Sequence, residues 1–164
     1  MTGAAQVHQP LAAGKPRQQG LAMVEFTLCA PLLLLLLYAI GEFGNMLYEY
    51  ALLADAARNA DRYLASKAYI DNTGVVNIGT AVGPTQNLVV YGNTGGTGSP
   101  LLPSLTTGQV TVATQADAGG ATDVTVSVAY PYQSLFGGSI PNFVSGGTVN
   151  TALTLNVFTS MRPL

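Results

Sequence analysis

Few side chains in this sequence could do chemistry alone. His8 is the only histidine and Cys29 the only cysteine. His8 lies in a polar N-terminal stretch and Cys29 in an apolar run. No metal site, nucleophile–base pair or intramolecular disulfide can be assembled from them, and Cys29 reads as a small buried hydrophobe. Glu42, Glu49, Asp55 and Asp61 follow one another along a helical pattern beside Arg58 and Arg62, where a solvated helix face is the expected reading. Glu25 is different. It stands five residues after Gly20 in an otherwise uncharged, Leu-rich stretch, "LAMVEFTLCAPLLLLLLYAIG". An ionised carboxylate costs about 2.5 to 3.5 kcal/mol at the centre of a membrane span and less near its end, so Glu25 calls for a partner.

The surroundings of Glu25 are those of a membrane protein. Charged residues make up 9% of the 164-residue chain, against roughly 25% in an average soluble protein, and mean hydropathy is +0.34. Net charge is −2, and no basic footprint for nucleic acid exists. Residues 1–20 are polar, broken by two prolines, and read as a leader ending in the cations Lys15 and Arg17. Residues 21–43 carry only Glu25 and Glu42 and exceed the ~20 apolar residues that span a bilayer as a helix. Helical character continues over 44–70, where Met46, Tyr50, Leu53, Ala57, Ala60 and Leu64 recur at spacings of four and three as one packing seam. Asp55 to Arg58 and Arg58 to Asp61 are expected i,i+3 ion pairs on the opposite side. The helix expected over 21–68 is roughly 70 Å long at about 1.5 Å per residue. Pro31 removes one of its hydrogen bonds, which costs an interior helical position about 3 kcal/mol.

At "YIDNTG" the pattern ends in turn formers, and residues 71–164 are rich in Gly, Thr and Val. Apolar and polar residues alternate over 109–115, 123–130 and 147–158, which predicts three strands, with the shorter runs 74–78 and 87–91 as one or two more. Gly-rich connections separate them at 92–100, 117–120 and 145–148. In the last strand Val149, Thr151, Leu153, Leu155 and Val157 share a face that should pack on the helix seam. The expected fold class is α+β: a long N-terminal helix, transmembrane in its first half, followed by a small antiparallel β-sheet packed on its C-terminal half.

The junction "G|LAMVEF", with the bar after Gly20, resembles the prepilin-peptidase site of type IV pilins and pseudopilins. Further along, "VEFTLCAPLLLLLLYAIGEFGNMLYEYALLADAARNADRYLA" resembles the TadE-like family of minor pseudopilins of tight-adherence (Flp-type) pili, in the order of its Glu-Phe, Pro, Leu run, Gly-Glu-Phe-Gly and "AAR…ARY"-like segment. The C-terminal "VTVSVAYPYQSLFGG…TLNVFTSMR" resembles that family's strand, Tyr-Pro turn and closing Met-Arg. The chain departs from pilins in placing Leu21 rather than Phe first after the junction, and it has no cysteine pair for a C-terminal disulfide loop. The resemblance implies cleavage between Gly20 and Leu21, an assembly role for Glu25 and Phe26, and a Pro31 that bends or loosens the helix inside a filament. For Pro31 the other reading is a tolerated membrane kink. The resemblance further implies prepilin peptidase, other pilins and pseudopilins and the assembly platform as partners, with no cofactor, no metal and no small-molecule substrate.

Lys15 and Arg17 flank the N-terminal side of the span and favour a cytoplasmic leader with the β region outside the cytoplasm. The leading expectation is therefore an inner-membrane-anchored structural protein of pilus assembly rather than an enzyme. Two other classes stand beside it: a secreted protein with an ordinary signal peptide, and a membrane-tethered β-rich module binding glycan or a surface. Against the former stand the length of the apolar run, the interruption by Glu25, and the lack of a small-x-small site directly after Ile40.

Overall fold

The computed structural model describes residues 18–68, 75–116, 119–135, 137–141, 146–150 and 152–164. Lys15 and Arg17 fall outside them, as does the turn at Asp71, Asn72 and Gly74. The backbone forms two units, one ending at Ile40 and one running from Gly41 to Leu164.

Helix α1 (Gln18–Lys67) contributes to both. It begins three residues before Leu21, inside the expected leader, and runs through Pro31. Within the second unit its residues Leu53, Ala57, Ala60 and Leu64 are buried, together with Ala56, Ala65 and, just past its end, Ala68. The alanines carry no bulk beyond Cβ, so other elements can approach the helix closely at these positions. Met46 is half-buried. Tyr50, expected in the same seam, is 42% exposed: the seam meets the domain only from Leu53 onward, and one position earlier it is Glu49 that turns inward.

The stretch 87–91, expected as a possible strand, is the C-terminal half of a second helix, α2 (Val82–Tyr91). Its buried residues Thr85, Val89 and Val90 follow a helical spacing that begins upstream of the apolar run. Pro84 sits in the first turn, where a missing N–H is harmless. The Thr85 hydroxyl donates to the Ala81 carbonyl at 2.7 Å. Gly92 ends the helix in the left-handed conformation, φ 71°, its N–H bonded to Leu88 O. The next loop is held by Asn93, whose side chain bonds Tyr91 O, Thr97 O and Thr97 N. Gly96 is obligatory there, since its φ is +67° and a Cβ would come within 2.9 Å of the Asn87 side chain. The other doubtful run is not a strand either. Residues 75–78 are irregular, with Val76 and Ile78 partly buried against the core and Asn77 N donating to Ala68 O at 2.8 Å.

A 3₁₀ turn (Thr107–Gln109), closed by Thr106 N donating to Gln109 Oε1 at 3.1 Å, leads into the sheet. Strands β1 (Val110–Ala116), β2 (Thr122–Pro131) and β5 (Thr154–Met161) pair antiparallel in the order β1-β2-β5. β3 (Ser139–Pro141) and β4 (Thr148–Asn150) form a separate pair. The expected strand 147–158 is thus two strands. Pairing of β5 with β2 ends just past Pro131, opposite Thr154, where Tyr132 N bonds Leu153 O, and the earlier part of the run pairs with β3 instead. Val157 is accordingly buried and Leu155 partly so, whereas Leu153 is exposed, and Thr151 lies outside the described residues.

The inward face of β2 presents Val124, Val126, Val128 and Tyr130, all buried. These join the buried residues of α1 from Leu53 to Ala65, Ala68 just beyond it, Val89 and Val90 of α2, Leu102, Leu105 and Val157 in a single core. The antiparallel sheet packs against the helix as the alternation of the strands requires. Each fully buried Leu or Val contributes about 1.5–3 kcal/mol relative to leaving it in water. The Tyr130 hydroxyl, buried at the end of this face, donates to Pro103 O at 2.8 Å.

Candidate functional site

The residues singled out by sequence fall on α1, which presents two kinds of surface. From Gly20 to Ile40 the helix is apolar on all sides: an 18-residue window reaches a mean hydropathy of 2.2 with none of it buried. Leu21, Met23, Phe26, Leu28, Leu32 and Leu34 are each more than 65% exposed. A helix apolar all round is stable only where its whole circumference meets an apolar medium, and this one is long and apolar enough to cross a membrane. Gly20 lies in the first turn, with nothing within 4 Å of where a Cβ would sit. Glu25 is exposed and has no hydrogen-bond or ion-pair partner among the described residues. Two residues on, the Thr27 hydroxyl is satisfied by Met23 O at 2.8 Å, the usual way a hydroxyl is accommodated in an apolar helix. Gly20, Leu21, Glu25, Phe26 and Pro31 therefore lie along one unobstructed helical surface, with no other element of the first unit covering them.

The C-terminal half of α1 departs from expectation in its charges. Asp55 and Arg58 do form the i,i+3 pair, at 3.1 Å, on an exposed face. Arg58 to Asp61 does not form, because Asp61 faces the core and is fully buried. Glu49 is likewise only 7% exposed. The expected solvated face holds for Asp55 and fails for Glu49 and Asp61. Their spacing carried the signal: Glu49, Leu53, Ala57, Asp61 and Ala65 are successive i,i+4 neighbours, one stripe with two acids in it.

Around Glu49 the polar groups interlock. Asn45 Nδ2 donates to Glu49 Oε1 and to the Tyr132 hydroxyl, each at 3.2 Å. That hydroxyl in turn donates to the Glu42 backbone carbonyl at 3.2 Å. Burial pushes the Glu49 carboxyl above the usual range, the Asn45 bond opposes this, and the Glu42 charge adds to it. Asp61 is also raised, first by burial; the Thr159 hydroxyl pulls the other way without reaching bonding geometry, and Asp123 pushes further upward. No local pattern announces Asn45 or Tyr132, which lie 87 residues apart and meet only through the fold.

This arrangement can anchor and pack. Among the described residues no group of three or more His, Cys, Asp or Glu side chains is placed to hold a metal. No curated protein and no solved structure matches the chain. The family described as TadE-like protein matches residues 20–62, the stretch from the Gly20 junction to the buried seam, and over that stretch the chain is similar to that family.

Proposed function

We propose that the protein is a minor pseudopilin of a tight-adherence pilus system, anchored in the inner membrane by residues 21–43, with the leader cytoplasmic and the β domain outside the cytoplasm. Prepilin peptidase cuts between Gly20 and Leu21, and the mature helix then associates with other pilins and the assembly platform. The observation that carries this reading is the coincidence of a TadE-like segment with a fully exposed apolar helix in which one acid, Glu25, lies four residues beyond Leu21. Cleavage turns the Leu21 nitrogen into a cation at the positive end of the helix dipole, where a carboxylate is favoured. A pair confined to one chain is worth only about half a kcal/mol. An acid retained in an apolar segment is better explained by pairing with the amine of a neighbouring subunit, where the lipid surroundings weaken screening. The leader cations support the orientation through the positive-inside rule.

Intact mass of the membrane-extracted protein tests the processing: loss of the first 20 of 164 residues, leaving 144, is expected. An uncut chain in a host carrying the peptidase would sink this part. Glu25→Ala and Glu25→Gln should insert and be cleaved normally but lose co-purification with other pilins and reduce piliation. Undiminished co-purification and full piliation by Glu25→Ala would rule out the intersubunit role.

A further inference from the structure

Where α1 enters the second unit, its charges are turned away from the surface. From Gly41 to Ala54 the only charged residues are Glu42 and Glu49. Glu49 is buried against Asn45, and both carboxylate oxygens of Glu42 are shielded from solvent. What this stretch shows outward is Phe43, Leu47, Tyr48 and Tyr50, each at least 42% exposed. Phe43, Leu47 and Tyr50, spaced i, i+4, i+7, lie on the side of the helix opposite Asn45 and Glu49. The sheet adds apolar groups at the same level. The Tyr132 hydroxyl bonds the Glu42 carbonyl and Tyr132 N bonds the Leu153 carbonyl, so one tyrosine side chain separates Leu153 from the helix. Leu153, and Leu135 three residues past Tyr132, are both more than half exposed. No Asp, Glu, Lys or Arg occurs from residue 124 to 161. Exposed apolar groups gathered in this way mark a contact surface.

We propose that this end of the β domain is a lipid-docking surface, with Phe43, Leu47, Tyr48, Leu135 and Leu153 seated in the headgroup layer of the bilayer that residues 21–43 cross. Three observations select lipid over a protein partner. The first is length. A span that starts at Leu21 uses about 20 residues for the hydrocarbon core and leaves it near Gly41, so the next residues stand in the headgroup layer. Helical side chains lean toward the N-terminus, which carries the Tyr48 ring back over the preceding turn and toward the core of the bilayer. The second is distribution. Apolar groups occur at one level both on the far side of the helix and at the sheet end; a protein partner covers one side, whereas a layer crossed by the helix meets every side. The third is residue type, since tyrosine is enriched where one end of a side chain is apolar and the other wet. The β domain thereby has a membrane contact of its own, with no charge in it and no requirement for anionic lipid. Docking presupposes the anchor at residues 21–43 and is independent of leader cleavage and of the pilus assignment.

The test uses the full-length protein with Cys29→Ala, reconstituted in phosphatidylcholine vesicles and labelled with a polarity-sensitive fluorophore at one introduced cysteine. Tyr48→Cys, Leu135→Cys and Leu153→Cys probe the surface, and all three positions are exposed, so the label displaces no core. Asn59→Cys, exposed and about 27 Å beyond Gly41 along the helix, is the aqueous reference. Leu34→Cys is the mid-span reference. Emission from the three surface positions should lie at shorter wavelength than from Asn59→Cys. Lipids carrying a nitroxide near the headgroup should quench it more than lipids carrying one at the chain end, with the opposite order at Leu34→Cys. Leu135 and Leu153 decide the matter because they belong to the β domain. Emission at both that matches Asn59→Cys, with Leu34→Cys apolar and quenched, overturns the docking alone. Aqueous emission at Leu34→Cys overturns the anchor and the docking with it. Short-wavelength emission at Leu153→Cys that no nitroxide lipid quenches would show a protein, a second copy included, on this surface and would overturn the lipid contact.

Discussion

One helix carries two stretches of similar helical propensity and opposite fate. Between Gly20 and Ile40, Leu32 to Leu37 follow one another without interruption and every one is exposed. Between Leu53 and Ala68 the apolar residues recur every three or four positions, most are alanine, and they are buried. The two differ in total hydrophobicity, since residues 53–68 carry five charged side chains, and in how the apolar groups are distributed around the helix. A stripe of small side chains offers one flat face on which a sheet can lie, and the remaining circumference can be charged, as Asp55, Arg58 and Arg62 are. Six consecutive leucines cover every direction of the helix, so a sheet on one side would leave the rest in water. The first pattern specifies a protein partner along one line, and the second specifies an apolar medium.

The comparison breaks if both stretches respond alike to the same kind of damage, so each is tested with a change that should leave the other untouched. The largest effect is expected from Leu34→Asp combined with Leu36→Asp. Each charge near mid-span costs about 2.5 to 3.5 kcal/mol on insertion, and the pair should release the protein from membranes resistant to alkaline extraction, while the thermal transition of the β domain stays where it was. Retention in the membrane fraction would show that the apolar stretch is not what holds the protein there. Next in size is Leu64→Ala. Leu64 is fully buried between helix and sheet, and a deletion of this kind costs about 2–5 kcal/mol. Urea or thermal unfolding should register that loss with membrane fractionation unchanged. A loss under 1 kcal/mol would show that the seam does not carry the domain.

What the sequence made legible follows the same division. The helix and the three strands of the larger sheet were readable because each has a long run of one signal: uninterrupted apolar length and then a 3.6 period along α1, and a period of 2 over β1, β2 and β5. The readings that failed involved short windows or distant partners. Residues 87–91 look like a strand in isolation and become helical only with Ala81 and Thr85 included. The strand expected over 147–158 divides because its two parts pair with different strands, β3 and β2, which no local window reveals. The proposed roles of Gly20 and Glu25 rest on a local motif that a sequence displays by itself. The site was illegible where it depends on the fold, since nothing near Asn45 announces Tyr132, and charge alone marked Glu49 and Asp61 as solvated. Tyr50 shows the remaining weakness: spacing gives a helix face but not how far along the helix a partner extends.

The smallest expected effect concerns the acid within the packed stretch and sharpens the comparison from the inside. Asp61 has zero exposure and both oxygens lack a hydrogen bond. The groups facing it are Asp123 on β2 and Thr159 on β5, while Arg162, exposed, reaches Asp123 at 3.9 Å. Burial, supported by Asp123, raises the Asp61 carboxyl above its ordinary 3.8, so the folded protein holds the proton more tightly than the unfolded chain. Its stabilising contribution is full below pH 3.8 and is lost as pH rises through the raised folded value. Asp61→Asn keeps the shape and removes the titration. Relative to wild type it should be less stable or equal near pH 3.5 and more stable at pH 7, by about 1–3 kcal/mol if burial acts as it does on other ill-partnered polar groups. The difference between the two proteins should grow steadily with pH, as read by urea unfolding at half-unit intervals between pH 3.5 and 7.5. Glu49, raised for the same first reason, is present in both proteins and cancels. A difference that shrinks as pH rises would mean that Asp61 is held ionised in the fold, with Arg162 turned toward it, and the stripe from Leu53 to Ala68 would then be an apolar seam closed by an ion pair at its centre.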